Sequence, residues 1–289
     1  DQESVIWQAI SRIMEDPLIT KIGQNIIFDS HFLLRKFGIK SVNLHDTMIA
    51  QKLLYPDFPV GLHFIQSMYT LRPYHKDDGK RHIKVGGEWN KFYIYNCLDS
   101  VACHEAFGKQ TEGLIELGNL PTYERQRRLI PPLTYMMERG IKVDMDGLLS
   151  HKERNDAEIS RLSQELNTLA GRDLNWNSPK QLKEYLYNHK GYHPYKKRAG
   201  TGGWTVTTDD NAMMRLARTG VKEAQIIRDI RKLGKENSVY LNPSKIDKDG
   251  RYRSSYNPVG TETGRLSSSE NIFGTGGNQQ NWPHHLLSY

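Results

Sequence analysis

Cysteine is close to absent from this chain. Its 289 residues include two, Cys97 and Cys103, which sit at no zinc-binding spacing and are too few for a disulfide framework. The sequence therefore predicts reduced thiols packed inside a cytoplasmic protein. Long apolar runs are absent too. No stretch approaches the roughly 20 residues that cross a bilayer, and the opening DQESVIWQAISRIMEDP lacks the basic-then-apolar layout of a secretory leader. No membrane partner is expected. No repeat or low-complexity tract interrupts the chain, and acid is in short supply relative to base. Thirty-three Asp and Glu face 40 Lys and Arg, for a net charge of +7 and a pI near 9.2.

What is present suits a globular protein, with 37% apolar and 25% charged residues, and the length allows two domains. Excess positive charge favours a polyanionic partner through phosphate contacts and counterion release. On charge alone, a merely basic globular protein is the competing reading.

The pattern changes near 111–124. Before it, short apolar segments such as KIGQNIIF alternate with helical ones, as in an α/β layer. After it, long helical patterns take over. RQRRLIPPLTYMMERG carries Leu129, Ile130, Leu133, Met136 and Met137 on a helix that Gly140 closes. IKVD reads as a short strand, and Asp144 can start the next helix, where Ile159, Leu162, Leu166 and Leu169 form a packing stripe. In NSPKQL, Ser178 caps a helix, Pro179 takes its first position and Gln181 completes a capping box. HKGYHPYKKRAGTGGW reads as a Gly-rich basic loop around Lys196, Lys197 and Arg198. Two helices flank Gly220, and from Gly250 the pattern turns to strand and loop.

Two segments carry groups suited to metal chemistry. NIIFDSHFL sets Asp29 directly after an apolar run read as a strand, so its carboxylate would emerge at the strand end. In the helical segment YIYNCLDSVACHEAF, Tyr95 and Asp99 are one turn apart and share a face. A phenol with a pKa of about 10 is a poor base at neutral pH. It can orient a water whose proton is lost because metal ions lower its pKa. Carboxylates are the oxygen ligands that Mg²⁺ or Mn²⁺ prefer. Asp29, Asp99 and Tyr95 together suit phosphodiester hydrolysis, provided further carboxylates complete a two-metal site.

Read in order, NIIFDSHFL, LHDTMIAQKLL and YNCLDSVAC resemble the second and third motifs of the 3′–5′ proofreading exonuclease domain of family A DNA polymerases. The later blocks LIPPLTYMMERGIKVD, NSPKQL, RKLGKENSVYL and GTETGRLSSSENIFGTGGNQQNWP resemble the start of that family's polymerase domain. Together they span nearly the whole chain, and the FGTGG insertion before NQQN looks like that of a phage member.

The resemblance implies an α/β fold: a ribonuclease H-like exonuclease domain over 1–118, lacking its first motif, then the N-terminal part of a polymerase domain over 119–289. Within the latter, the thumb would cover about 144–240 and the palm would begin at 241–289. Asp29 and Asp99 match metal-binding aspartates and Tyr95 the water-orienting tyrosine. Asn25 and Phe28 match positions against the single-stranded 3′ end, and Asp46 a recurrent, structural Asp-Thr. Lys196, Lys197 and Arg198 would lie near the thumb tip over the duplex backbone, and Lys235 joins the DNA-binding set. Arg265, expected in a close-packed Gly/Ser setting, would reach the minor groove. Acceptors there occur on every base pair and so report pairing geometry without reading sequence. Asn278, Gln280 and Asn281 would bind template and primer, with nearby glycines allowing close backbone approach.

The implied cofactor is Mg²⁺ or Mn²⁺ in two-metal sites completed by residues outside this chain. The implied partners are primer–template DNA, a single-stranded 3′ end, dNTPs in the whole enzyme, and a processivity factor; the site of action would be the cytoplasm, the host's for a phage enzyme. The chain departs from the pattern at Asn237, in place of a lysine, and at Trp282, in place of an aliphatic residue. The earlier Asp-x-Glu pair and the later polymerase carboxylates fall outside its residues. The expectation is thus an internal piece of such a polymerase, inactive alone. Two readings compete: a stand-alone DEDD-type exonuclease or ribonuclease, against which TGRLSSS and NQQN argue, and a non-catalytic DNA-binding module.

Overall fold

The computed structural model describes residues 2–75, 77, 82, 86–200 and 202–287. The chain is mixed α/β and mostly helical. It falls into two compact units, residues 1–142 with 247–281 and residues 143–246 with 282–289. Among the described residues, no helix is long and apolar enough to cross a membrane.

The first unit opens with α1 (Gln2–Glu15) and β1 (Lys21–Gly23). After α2 (Ile26–Phe37), β2 (Leu44–Asp46) pairs with β1 in parallel, Lys21 opposite Leu44 and Gly23 opposite Asp46. A parallel pair requires such a crossover. The strand expected to run through NIIF stops at Gly23. The backbone turns at Asn25, which is left-handed (φ 55, ψ 45), and Ile26 to Phe28 begin α2. Ile26 and Ile27 are buried, so the apolar run is the inner face of a helix. Runs this short do not distinguish the two.

Then follow α3 (Thr47–Leu54), α4 (Leu62–Tyr69), α5 (Trp89–Glu116), α6 (Leu120–Arg127) and α7 (Ile130–Arg139). Ile49, Leu114, Ile130, Leu133 and Met137 form the core of this unit. Leu129 and Met136, expected on the same face, are exposed. Ala102 and Cys103 of α5 pack with Leu62 and Ile22. Cys97 is exposed, contrary to the expectation of two packed thiols, because it falls on a different face of α5.

After β3 (Ile141–Lys142) comes the second unit. Its α8 (Met145–Ala170) is capped by Asp144, whose carboxylate accepts the Gly147 N–H. Ser178 caps α9 (Pro179–Lys183), accepting the Gln181 N–H. The Gln181 side chain accepts from the Asn175 N–H instead of Ser178, so the expected capping box is only half formed. A π-helical turn over Glu184–His189 continues α9. Next, β4 (Lys196–Arg198) pairs antiparallel with β5 (Trp204–Val206), followed by α10 (Asp210–Arg218) and α11 (Lys222–Val239). Leu162 and Leu166 of α8 join Met213, Leu216, Ile227 and Ile230 in one core, while Leu169 is exposed.

Three strands return to the first unit. β6 (Arg251–Tyr252) pairs antiparallel with β3, and β7 (Ser254–Asn257) with β8 (Ser267–Glu270). Tyr256, Val259 and Leu266 reach the core of that unit. Arg253 is buried and engaged through all three of its guanidinium nitrogens. It donates to Asp247 (2.6 Å), to Asp249 (2.6 and 2.8 Å) and to the Glu138 carbonyl (2.6 Å). Arg35 of α2 adds bonds to Glu138 (2.8 Å) and Asp247 (3.3 Å). A buried guanidinium is tolerated only when paired in this way.

The junction of α7 with β3 depends on Gly140. Its φ is +60°, and a Cβ there would lie 2.8 Å from the Tyr252 carbonyl oxygen and 2.5 Å from Arg253 Cγ. The carbonyl belongs to the strand paired with β3 and cannot yield cheaply. Gly140→Ala should therefore cost about 2–4 kcal/mol, adding overpacking to left-handed strain. At Gly171 (φ +67°), where nothing lies within 4 Å, alanine should cost only about 1–2 kcal/mol. Urea denaturation of both variants checks this, and equal losses would show that the contact with Tyr252 is not limiting.

Candidate metal and nucleic-acid sites

The parallel pairing of β1 and β2 sets the segments leaving both strands at one edge. Asp46, at the end of β2, is 1% exposed. Its Oδ1 accepts the N–H groups of Asn25 (3.0 Å) and Met48 (2.8 Å), and its Oδ2 that of Ile26 (3.0 Å). One carboxylate thus caps α3 and fixes the entry to α2. Burial pushes its pKa up to about 6, with the backbone N–H groups opposing. The Tyr123 hydroxyl accepts the Asp46 N–H (3.0 Å) and is hydrogen-bonded to His45 Nδ1 (2.8 Å). Burial, with Arg127 nearby, pushes His45 down to about 4 and keeps its imidazole neutral.

Asp29 lies in the first turn of α2, and not at a strand end as expected. Its side chain reaches the surface, yet the atoms crowding it raise its pKa, and its own backbone hydrogen bond opposes the rise. Phe28 is 46% exposed beside it. Tyr95 and Asp99 share a face of α5. His75 Nε2 lies 2.9 Å from Asp99 Oδ1, and its ring meets Tyr95 edge-on at 5.5 Å. A cavity of about 730 Å³ opens there, lined by Tyr95, His75, His82, Phe92 and Leu98 among others. His75 was not foreseen. It is 24 residues from Asp99, and no spacing rule signals the pair.

Ile22 of β1 packs on Ala102 and Cys103, one turn beyond Asp99. The helix carrying Tyr95 and Asp99 therefore lies against the strand that leads to Asn25 and Asp29. Both aspartates are hard oxygen donors of the kind Mg²⁺ or Mn²⁺ take. Among the described residues, neither belongs to a cluster of three or more His, Cys, Asp or Glu side chains within reach of one ion.

The basic stretch is a strand of a hairpin, where a loop was expected. Lys196, Lys197 and Arg198 form β4, with Arg198 opposite Trp204, and all four are exposed. Gly200, Gly202 and Gly203 belong to the connection, which explains the loop-like composition. Side chains alternate along a strand, so Lys196 and Arg198 share a face. Lys235 is exposed on α11.

The 260–283 segment is less open than its composition suggests. Asn278 Oδ1 accepts from the Ser268 hydroxyl (3.0 Å) and the Gln280 N–H (3.0 Å), and Gln280 Nε2 donates to the Leu266 carbonyl (2.7 Å). Only the exposed Asn281 amide forms no hydrogen bond among the described residues. A Cβ on Gly276 would collide with the Arg253 carbonyl, and one on Gly277 would crowd the Tyr252 hydroxyl. These glycines serve packing within the chain. Arg265 is exposed after Gly264, without the close-packed Gly/Ser surroundings expected of it. Its carbonyl accepts the Thr261 hydroxyl (2.9 Å), and its guanidinium pairs with none of the described residues. In the insertion, Phe273 stacks on Phe32 (6.4 Å), meets His31 edge-on (5.8 Å) and lies under the Lys36 ammonium (5.2 Å), all on α2.

Residues 1–85 match the family model of the 3′–5′ exonuclease, and residues 145–275 that of DNA polymerase family A. The chain is 30% identical over 275 residues to DNA polymerase I of Rhizobium leguminosarum, covering 90% of this chain and 26% of the relative. It is 32% identical over 250 residues to DNA polymerase I of Streptococcus pneumoniae, covering 82% and 27%. To the DNA polymerase of Escherichia phage T5 it is 28% identical over 305 residues, covering 90% and 34%. The chain thus spans about a quarter to a third of the length of these curated relatives. Among solved structures, the POL domain of Pol1 from M. smegmatis, in complex with DNA primer-template and dNTP, shares its fold. The TM-score is 0.75 at 22% identity, covering 97% of this chain and 46% of that one.

Asp46 and His45 should oppose each other between about pH 4 and pH 6. Asp46 has a folded pKa above its unfolded value, so the folded chain holds the extra proton and stability falls as pH rises. The folded pKa of His45 lies below its unfolded value, so the unfolded chain holds the extra proton and stability rises with pH. Asp46→Asn removes the falling part. Its stability should climb across that window relative to wild type by up to about 3 kcal/mol, the worth of two pKa units. Parallel curves in urea denaturation at half-unit pH steps would show that Asp46 does not titrate there.

Proposed function

Because the chain belongs to the family A DNA polymerases, we propose that it is part of an enzyme that extends a primer on a DNA template and excises mismatched nucleotides from the 3′ end. The observation that carries this reading is one of order. Sequence of the 3′–5′ exonuclease over 1–85 precedes sequence of DNA polymerase family A over 145–275 in one chain. In this reading residues 1–118 are the exonuclease part and 119–289 the polymerase part. The thumb covers about 144–240, and the palm begins at 241–289. The enzyme acts in the cytoplasm.

On the exonuclease side, Asp29 and Asp99 hold Mg²⁺ or Mn²⁺, and Tyr95 orients the attacking water. Asn25 and Phe28 lie against the single-stranded 3′ end. The raised pKa of Asp29 supports the assignment, since a crowded carboxylate with no cationic partner among the described residues gains from a metal. Two aspartates hold a metal pair poorly. Among the described residues no third His, Cys, Asp or Glu joins either aspartate, so the chain alone is expected to hydrolyse DNA feebly. The metal lowers the pKa of the attacking water when bound.

On the polymerase side, the exposed cations of β4, with Lys235, contact duplex phosphates. Arg265 and Asn281 reach the primer terminus with free donors. Asn278 and Gln280 have internal duties and contribute through their remaining donors. The M. smegmatis neighbour of like fold was solved with DNA primer-template and dNTP, which supports the same ligands here.

Anisotropy titrations of a primer–template across a salt series test the hairpin. Replacing Lys196, Lys197 and Arg198 by alanine should flatten the slope of log K against log salt by about 0.9 for each phosphate left without its cation. An unchanged slope would put the phosphate-binding cations elsewhere. Arg265 calls for an enzyme with the complete polymerase domain. A charged hydrogen bond to a minor-groove acceptor is worth about 1.5–3 kcal/mol, so Arg265→Ala should lower extension about 10- to 100-fold. A primer-terminal 3-deazaguanine should slow wild type similarly and the variant no further. Wild type indifferent to the analogue would remove the minor-groove role.

A further inference from the structure

Glu236 of α11 is 6% exposed, and its carboxylate meets two imidazoles. His151 Nε2, on α8, lies 2.9 Å from Oε1, and His285 Nε2, in the 282–287 segment, lies 3.3 Å from Oε2. Asn155, one turn after His151, donates to Oε1 at 3.3 Å. All four residues belong to the second unit. The ligand atoms of His151, Glu236 and His285 lie within 4.8 Å of one another, and among the described residues no other three His, Cys, Asp or Glu side chains come so close. A cavity of about 430 Å³ opens beside them. The proposed polymerase and exonuclease chemistry uses none of these groups.

We propose that His151, Glu236 and His285 form a binding site for a first-row transition-metal ion of the Zn²⁺ class, which pins the 282–287 segment to α8 and α11. The donor set selects the ion. Two imidazoles and one carboxylate suit Zn²⁺ and its neighbours, whereas Mg²⁺ takes oxygen ligands almost alone. Ligands about 2.0–2.2 Å from a tetrahedral ion are about 3.3–3.5 Å apart; the two His–Glu contacts of 2.9 and 3.3 Å are close to that spacing, and the exposed His285 has room to draw the whole set, now within 4.8 Å, around an ion. Burial grades from Glu236 (buried) through His151 (half-buried) to His285 (exposed). The carboxylate is therefore held in place while the solvent side stays open for entry and for a water as fourth ligand. Asn155 donates to the Oε1 that His151 also meets and so helps orient the carboxylate, as outer partners of metal ligands do. Around the cavity, Glu158 and Asp229 balance Arg161 and Lys232, leaving no net positive field.

The test is calorimetric titration of the chelator-stripped 289-residue chain with Zn²⁺, and visible spectroscopy with Co²⁺. Saturable 1:1 binding is expected, with the absorption of four- or five-coordinate Co²⁺ and a rise in melting temperature. His285→Ala, at an exposed position that packing tolerates, should weaken binding by more than about 100-fold, beyond the loss of an outer partner. His151→Ala should do the same, and both should abolish the Co²⁺ bands. His63→Ala, at an exposed histidine of the first unit, should leave them unchanged. If His151→Ala fails to fold, His285→Gln decides alone. Zn²⁺ binding equally well to His285→Ala would place the ion elsewhere and overturn the proposal. Absence of saturable binding to wild type would reduce the cluster to a His–Glu ion pair and overturn it too.

Discussion

The first unit depends on one buried carboxylate. Asp46 ends β2, caps α3 and holds the first two amides of the α2 entry, so the parallel strand pair and the helix bearing Asp29 share a single anchor. Without it, three backbone N–H groups in a buried corner would lack an acceptor, each costing about 1–3 kcal/mol. The arrangement also explains the left-handed backbone at Asn25. That strain of about 1–2 kcal/mol is what aims successive amides at the two carboxylate oxygens. Tyr123 extends the same support outward, its hydroxyl accepting the Asp46 N–H and sharing a hydrogen bond with His45 Nδ1. The placement of Asn25 and Asp29 is thus inherited from an aspartate on a different strand.

A second anchor holds the far side of α2. Arg35 reaches Glu138 and Asp247, and Asp247 also accepts from Arg253 and from the Thr275 hydroxyl (2.6 Å). Asn271 closes the circuit by donating to the Arg253 carbonyl (2.9 Å). The FGTGG insertion sits on this network, its Phe273 against the His31, Phe32 and Lys36 side of α2. The helix that carries Asp29 is therefore gripped at its N-terminus by Asp46 and along its length by residues 247–275. A segment whose glycines suggested room for a ligand is largely occupied in bracing the protein itself.

Short-range signals were legible in the sequence and long-range ones were not. Asn25, Phe28 and Asp29 fall within five residues, and Tyr95 and Asp99 within one helical turn, so a local motif and the family resemblance are enough to single them out as candidates. NIIF is too short to separate a strand from a buried helical turn, so the element under Asp29 is not legible in sequence. Around KKR the neighbouring glycines give a loop-like composition that masks a three-residue strand. His75, against Asp99, and the His151–Glu236–His285 group join residues 24 to 85 positions apart. Folding alone brings them together, and no local pattern records it. The amides of Asn278 and Gln280 failed differently: composition shows donors but not whether the chain has already engaged them.

The carboxylates separate by how their charge is answered. Asp46 is answered by backbone amides and Asp249 by Arg253, which draws it down to about 2; both are complete as they stand. Glu236 faces two imidazoles, partners that can be protonated or can share an ion. Asp29 is answered by no cation among the described residues, and crowding lifts its pKa. Its side chain reaches the surface, where water screens the charge, and the double grip on α2 fixes the helix that presents it. Carboxylates with shifted pKa values gather at functional sites more often than elsewhere. Asp29 differs from Asp46 and Asp249 in that the described residues leave its charge to solvent.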